Sequence, residues 1–152
     1  MKIKRITENN LKAVLDMAAA LSAHEGMPPP NLSRQKLFGA IFGPDACVEG
    51  LIASSDQSHH GYVLWTIGFD MQNGTRTLNI IDLFVEEPHR RTGIATSLLK
   101  ATASVASERN YKLVTVQTFI ENADANAFYP AIGAKLDRTN VYYFNDTAIK
   151  AL

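Results

Sequence analysis

Residues 81–99 read IDLFVEEPHRRTGIATSLL: an apolar strand pattern, a short charged turn, then a helix opened by small residues. Within it Arg90-Arg91-Thr92-Gly93-Ile94-Ala95 has the form R-x-x-G-x-A. The first turn of a helix leaves backbone N–H groups without intrahelical acceptors, and the helix dipole adds partial positive charge there. Gly93 and Ala95 keep side chains out of the way, while Arg90 and Arg91 add charge and donors at the same end. Such a helix start is suited to hold a phosphate group. An ordinary capped helix, with Gly93 chosen for close packing, would carry the same six residues. The chain has no G-x-x-x-x-G-K-[ST] and no G-x-G-x-x-G, which excludes a P-loop NTPase and a standard dinucleotide site.

Working outward, the spacing predicts a strand over Lys2–Ile6 and a helix over Thr7–Ala23, with Leu11, Val14, Leu15, Ala18 and Leu21 on one face. Gly26 stops that helix and Pro28-Pro29-Pro30 forbids its continuation. Ser33 caps a second helix bearing Leu37, Phe38, Ile41 and Phe42, ended by Gly43-Pro44. Three strands are expected at Cys47–Ser54, Gly61–Phe69 and Thr77–Val85. A polar connection at Ser55–His60 joins the first two, and an Asn73-Gly74 hairpin turn joins the second and third. The helix from Thr92 to Asn110 presents Ile94, Leu98, Ala101 and Val105. A strand at Lys112–Phe119 follows, then a helix capped by Asn122 and ended by Gly133, and an aromatic strand at Asn140–Asn145. The expected order is β-α-α-β-β-β-α-β-α-β, with the strands before and after the Thr92 helix parallel.

At 152 residues the chain is the size of one domain, and 46% hydrophobic with 20% charged residues is ordinary globular composition. Fifteen basic and 15 acidic residues cancel, which argues against nucleic-acid binding. The single cysteine, Cys47, excludes an internal disulfide and is expected as a small core residue; no Cys/His set has zinc-finger spacing. No apolar run has transmembrane length, and the N-terminus lacks a signal-peptide pattern, so no membrane association and a cytoplasmic location are expected.

A second cluster turns the phosphate-loop pattern into a resemblance. Asn122, Ala125, Phe128, Tyr129, Gly133 and Ala134 fit N-x-x-A-x-x-F-Y-x-x-x-G-A. With Arg90, Gly93 and Ala95 in order ahead of it, and the apolar strand Ile81–Val85 leading into the loop, the chain resembles the GNAT superfamily of acyl-CoA-dependent N-acetyltransferases. The likeness spans about residues 1–146, with specific residues between about 78 and 134. Within the superfamily it looks most like the diamine (spermidine/spermine-type) acetyltransferases, through Leu21–Glu25 and its following loop, Asp82-Leu83-Phe84-Val85, and Phe128-Tyr129. Where those enzymes carry an acidic pair on the strand, this chain has Ile81-Asp82, which argues against a polyamine acceptor.

The resemblance implies a single α/β (α+β) domain over residues 1–152, its mixed, mostly antiparallel sheet flanked by helices, with two parallel strands splayed to form an acyl-CoA cleft. Acetyl-CoA is the implied cosubstrate, and no metal is expected. The backbone of Arg91, Thr92, Gly93, Ile94, Ala95 and Thr96, with Arg90, would cradle its pyrophosphate. Backbone groups at Phe84 and Val85 would pair with the pantetheine arm, and an N–H near Phe84 would polarise the thioester carbonyl. Asn122 would hold the pantetheine or its water, Phe128 would also bind the cofactor, and Tyr129 would stand near the sulfur. A small-molecule amine partner and a homodimer are implied too.

The chemistry asks for few groups. An ammonium must lose a proton before its nitrogen attacks, and the departing thiolate benefits from one donor. Tyr129 is the candidate donor. Asp82 is the candidate base, since an acid between Ile80 and Phe84 on one strand face is costly unless paired or functional. A salt bridge from Asp82 to Arg76 or a loop arginine would also explain it. A strand bulge would change the face that Asp82 takes. Glu25, Glu86 or a water chain could replace it as base. His59-His60 is expected in a solvated turn without a third metal partner, and His89 stands beside the loop. Trp65 and Tyr142-Tyr143-Phe144 are expected as sheet packing or a dimer contact. Pro130 removes a helix N–H directly after Tyr129. The expected function is transfer of an acetyl group to a primary amine of a small molecule. A protein or peptide acetyltransferase and a non-catalytic acyl-CoA sensor remain as alternatives.

Overall fold

A computed structural model of the chain describes residues 1–56 and 58–151. The chain divides into two compact units, residues 1–119 and the remainder from Ile120.

The first unit contains β1 (Lys2–Arg5), α1 (Leu11–His24), α2 (Arg34–Phe42), β2 (Glu49–Ser55), β3 (Ser58–Asp70), β4 (Thr75–Val85), α3 (Ile94–Glu108) and β5 (Leu113–Val116). Its sheet runs β1-β2-β3-β4-β5. The first three pairings are antiparallel and the last, β4 with β5, is parallel. The mixed, mostly antiparallel α/β sheet is therefore as expected.

Local chemistry sets most boundaries. Ser33 Oγ accepts from Lys36 N–H at 3.1 Å and starts α2. Asp70 Oδ1 accepts from the N–H groups of Gln72 and Asn73, holding the β3–β4 hairpin turn. Asn110, at φ 59°, lets the chain leave α3 through the left-handed region. Of the polar connection expected at residues 55–60, Gln57 lies outside the described residues, and Ser58, His59 and His60 already belong to β3. His60 is buried rather than solvated. Cys47 is exposed, against the expectation of a core position, because it lies in the turn between α2 and β2.

The sheet buries both faces. Leu11, Val14, Met17 and Ala18 of α1 pack with Leu37 of α2 on Ile52, Tyr62, Leu64 and Phe84. Ile94, Leu98 and Ala106 of α3 pack on Leu51, Val63, Trp65, Leu78 and Ile80. The central strands β2 and β3 feed both cores by alternation. In β4 the alternation breaks. Leu64 faces Asp82 while Trp65 faces Ile80, so Ile81 is the extra residue of a bulge. Leu78 and Ile80 thus point to the α3 side and Phe84 to the α1 side. Gly61 sits where β3 crosses the end of β4. A Cβ there would lie 2.6 Å from the Phe84 carbonyl oxygen, so only glycine allows this approach.

The second unit contains α4 (Ala123–Ala131) and α5 (Asp146–Ala151). Asn122 Oδ1 accepts from Ala125 N–H at 3.1 Å and caps α4. Gly133, at φ 95°, closes it while Ala134 N–H donates to the Tyr129 carbonyl. The strand expected at Asn140–Asn145 is not formed. Val141, Tyr142, Tyr143 and Phe144 are 61–85% exposed. Aromatic residues favour a strand only where a neighbouring strand supplies the ladder, and none pairs with this run among the described residues.

Candidate functional site

The phosphate-loop pattern occupies the turn between β4 and α3. Glu87–His89 forms one turn of 3-10 helix; Arg91 then takes φ 62° and Gly93 φ 85°. Two left-handed residues in three turn the chain sharply enough to aim the start of α3 outward. Ser97 N–H is the first to bond within the helix, to Gly93 O at 2.9 Å. The N–H groups of Ile94, Ala95 and Thr96 therefore lack helical acceptors. A Cβ on Gly93 would meet nothing within 4 Å, so the space over these donors is open. Thr92 Oγ1 donates to the His89 carbonyl at 2.6 Å and ties the loop to the 3-10 turn. Arg90 turns back: its Nε donates to Val85 O at 3.0 Å and its guanidinium lies 5.6 Å from the Phe84 ring centre.

Beside this loop the sheet opens. The parallel ladder ends at Ile80 and Val116, whereas β4 stays paired with β3 as far as Val85. Glu86 N–H donates to His60 O, which makes Tyr62 and Phe84 the hydrogen-bonded pair and Gly61 and Val85 the wide one. Phe84's own backbone groups therefore face β3, while those of Leu83 and Val85 face the open side. A cavity of about 510 Å³ lies at the divergence, lined by Asn79, Ile80, Ile81, Thr115 and Gln117. Asn79 Oδ1 accepts from Thr77 Oγ1 at 3.0 Å and from Thr115 Oγ1 at 2.9 Å, pinning β4 to β5 just before they part. Sequence reasoning missed Asn79 and Thr115. A polar residue in an apolar strand was the available signal.

On the α1 side Asp82 and Glu25 come together. Asp82 accepts a hydrogen bond from the Tyr62 hydroxyl at 2.9 Å. Its partner is this tyrosine rather than Arg76 or a loop arginine. Burial raises the Asp82 pKa above its ordinary value, and the Tyr62 hydrogen bond opposes the rise. Glu25, the residue that ends α1, is also raised, first by burial and then by the charge of Asp82. The Tyr62 hydroxyl is held well above its ordinary value by burial and by Asp82, so it stays a donor. Glu86, the other rival base, lies with His60 and His89 instead.

In the second unit, Phe128 and Tyr129 are half-buried neighbours on α4, their rings 5.2 Å apart and edge to face. Burial pushes the Tyr129 hydroxyl up to about 12, so it is protonated at neutral pH. Asn122 spends its side-chain oxygen on the cap of α4. Pro130 lies in the last turn of α4, where it cannot donate to the Asn126 carbonyl.

No helix among the described residues is long and apolar enough to cross a membrane. No curated protein matches the sequence significantly. Among solved structures, the chain superposes on an integron cassette protein from the mobile metagenome of V. cholerae with a TM-score of 0.83 at 24% identity, covering 99% of this chain and 95% of that one. It superposes on a ribosomal-protein-alanine N-acetyltransferase from Brucella melitensis biovar Abortus 2308 with a TM-score of 0.77 at 19% identity, covering 95% and 100%. An aminoglycoside acetyltransferase from an uncultured soil metagenomic sample, solved with sisomicin, gives 0.78 at 19% identity, covering 95% and 94%. These likenesses concern the fold; the sequence itself matches the acetyltransferase (GNAT) family over residues 16–134, and the chain belongs to that family of acetyl-transferring enzymes.

Proposed function

We propose that the protein is an acetyl-CoA-dependent N-acetyltransferase that moves an acetyl group to the primary amine of a small molecule by direct attack on the thioester. The observation that carries the reading is the sheet's divergence beyond Ile80 and Val116, next to a helix start with open N–H donors. The N–H groups of Ile94, Ala95 and Thr96, with Arg91, Thr92 and the open space at Gly93, would hold the pyrophosphate. The outward backbone groups of Leu83 and the Val85 N–H would pair with the pantetheine arm as an extra strand, the Val85 carbonyl being held by Arg90, and one of these N–H groups would polarise the thioester carbonyl. Arg90 braces the strand end against the loop. Acetyl-CoA, when bound, supplies the thioester.

Asp82 is the proposed base. Its raised pKa brings its proton affinity closer to that of the ammonium it must deprotonate. Tyr129, kept protonated by burial, is the proposed donor to the departing thiolate. Glu25 supplies, from the end of α1, a second carboxylate that the strand lacks at Ile81. Two half-buried acids side by side favour a positively charged small amine, and this supports the diamine-type likeness. The structural neighbours divide between an aminoglycoside and a ribosomal protein in their names. The acid pair is what favours the small molecule here.

A thiol-release screen with acetyl-CoA across amines, amino acids, polyamines and N-terminal peptides tests this. Release with a small cationic amine, faster than with any peptide, is the expected result. Faster turnover of a peptide would replace the small-molecule reading. Acetyl-CoA binding without release from any acceptor would leave a sensor, and no binding would overturn the whole proposal.

A further inference from the structure

His60 of β3, Glu86 just past β4 and His89 at the end of the 3-10 turn form a cluster that the transfer reaction does not use. One ligand atom from each lies within 4.8 Å of the others. His60 is 8% exposed, and its Nδ1 is buried with no hydrogen-bond partner. The other ring nitrogen, Nε2, is held by Ser55 Oγ at 2.5 Å. With the Nε2 proton donated to Ser55, Nδ1 keeps its lone pair. In that tautomer the outer hydrogen bond orients the ring and leaves Nδ1 as the ligand atom. The backbone holds the group together as well. Glu86 N–H donates to His60 O at 2.9 Å and His89 N–H to Glu86 O at 2.9 Å. The two imidazole rings lie 4.0 Å apart, centre to centre, at 54°. This tilted ring contact gives Nδ1 no hydrogen-bond partner.

We propose that His60, Glu86 and His89 bind a divalent transition-metal ion of the zinc type. Two imidazoles and one carboxylate are donors suited to zinc rather than to magnesium or calcium. Tetrahedral zinc, with bonds of about 2.1 Å, sets its ligand atoms about 3.4 Å apart. Glu86 and His89 are only half-buried, and binding would draw their ligand atoms in by side-chain rotation. Three protein ligands leave a fourth position for water. The ion would fasten the start of β3 to the turn that launches Arg90, and so brace the phosphate loop from behind. Sequence reasoning gave His59-His60 no third partner, because Glu86 and His89 reach His60 only through the β3–β4 register that sets Gly61 against Val85.

The test needs no acetyl-CoA, so it stands or falls separately from the proposed activity. Untagged protein, stripped with chelator, is titrated with Zn²⁺ calorimetrically, and with Co²⁺ while visible absorption is followed. Saturable binding of one equivalent is expected. Imidazole ¹⁵N signals of both His60 and His89 should move with the titration. Glu86→Gln and His89→Ala, at partly exposed turn positions, should each weaken binding at least about tenfold. His59→Asn, beside the cluster but hydrogen-bonded to Ser54, should bind as wild type. Absence of saturable binding, unmoved His60 signals, or wild-type affinity in His89→Ala would overturn the proposal.

Discussion

Tyr62 donates its hydroxyl to Asp82 from a diagonal position across the β3–β4 ladder, at 2.9 Å, and this bond moderates an acid that burial makes reluctant to ionise. The contact exists because Asp82 and Phe84, both past the bulge at Ile81, take the side of the sheet that Tyr62 takes. Removing the donor removes the one interaction that lowers the Asp82 pKa. Tyr62→Phe should therefore shift the acidic limb of the kcat/KM–pH profile to higher pH. A profile over the acid range, with any amine that turns over, reads this directly.

Asp82→Asn should lower turnover by about 10²-fold or more, the usual worth of a positioned base. It should also stabilise the fold at neutral pH. The Asp82 pKa is raised in the folded state, so its contribution to stability is fully present below its unfolded value of about 3.9 and is lost as pH rises through the folded value. The asparagine escapes that loss. Thermal melts should show a higher Tm for the variant at pH 7, with the advantage vanishing in acid. A lower Tm at pH 7 would contradict the sign.

Gly93→Ala separates backbone strain from ligand access. At φ 85° an alanine is strained by about 1–2 kcal/mol, although its Cβ meets nothing within 4 Å. A modest fall in Tm is expected. Coenzyme A affinity should fall further than strain explains, because the methyl group enters the space above the α3 donors. Calorimetric titration beside a thermal melt measures both.

Glu49 gives the opposite pH signature to Asp82. Arg109 Nη1 and Nη2 donate to its two oxygens at 2.6 and 2.7 Å, and Arg5 Nη1 adds a third bond at 2.7 Å. These arginines, Arg109 above all, hold the Glu49 pKa below its ordinary value while burial opposes them. The resulting stability is present above its unfolded value of about 4.3 and is lost as pH falls through the folded value. The side chains are 32–49% exposed, so water screens the network. Glu49→Gln should lose about 1 kcal/mol at pH 7, less at high salt, and converge with wild type in acid. Urea titrations at two pH values and two salt concentrations check this.

What was legible in the sequence follows the range of the interaction. Caps and turns are local: Ser33, Asn122, Asp70 with Asn73-Gly74, Gly93 and Gly133 all act within a few residues, and each does what its type suggests. The face of Asp82 is not local. Strict alternation puts Ile80, Asp82 and Phe84 together, whereas the bulge sends Ile80 to one core and Phe84 to the other. The adjacent isoleucines at 80 and 81 were the trace of it, since two apolar residues in a row break a two-residue period. The His60–Glu86–His89 cluster was hidden for the same reason, because its assembly depends on cross-strand register. The run at Asn140–Asn145 has the composition of a strand but no ladder partner among the described residues, and composition alone could not reveal that.

Tyr129→Phe tests the proposed acid with little change of shape. Phenylalanine keeps the ring and its edge-to-face contact with Phe128 at 5.2 Å between centres, and loses only the hydroxyl. Burial pushes that hydroxyl up to about 12, so wild-type enzyme keeps the proton throughout the usual assay range and Tyr129 contributes no alkaline limb below about pH 11. If it donates to the leaving thiolate, kcat should fall about 10²-fold while KM for acetyl-CoA changes little, because the donor acts only as the thiolate departs. Thioesters of more acidic thiols need the donor less, so the variant's deficit should shrink with them. A packing role predicts another pattern: lower Tm, higher KM and a deficit independent of the leaving group. Steady-state thiol release with two acyl donors of different thiol acidity distinguishes the two roles.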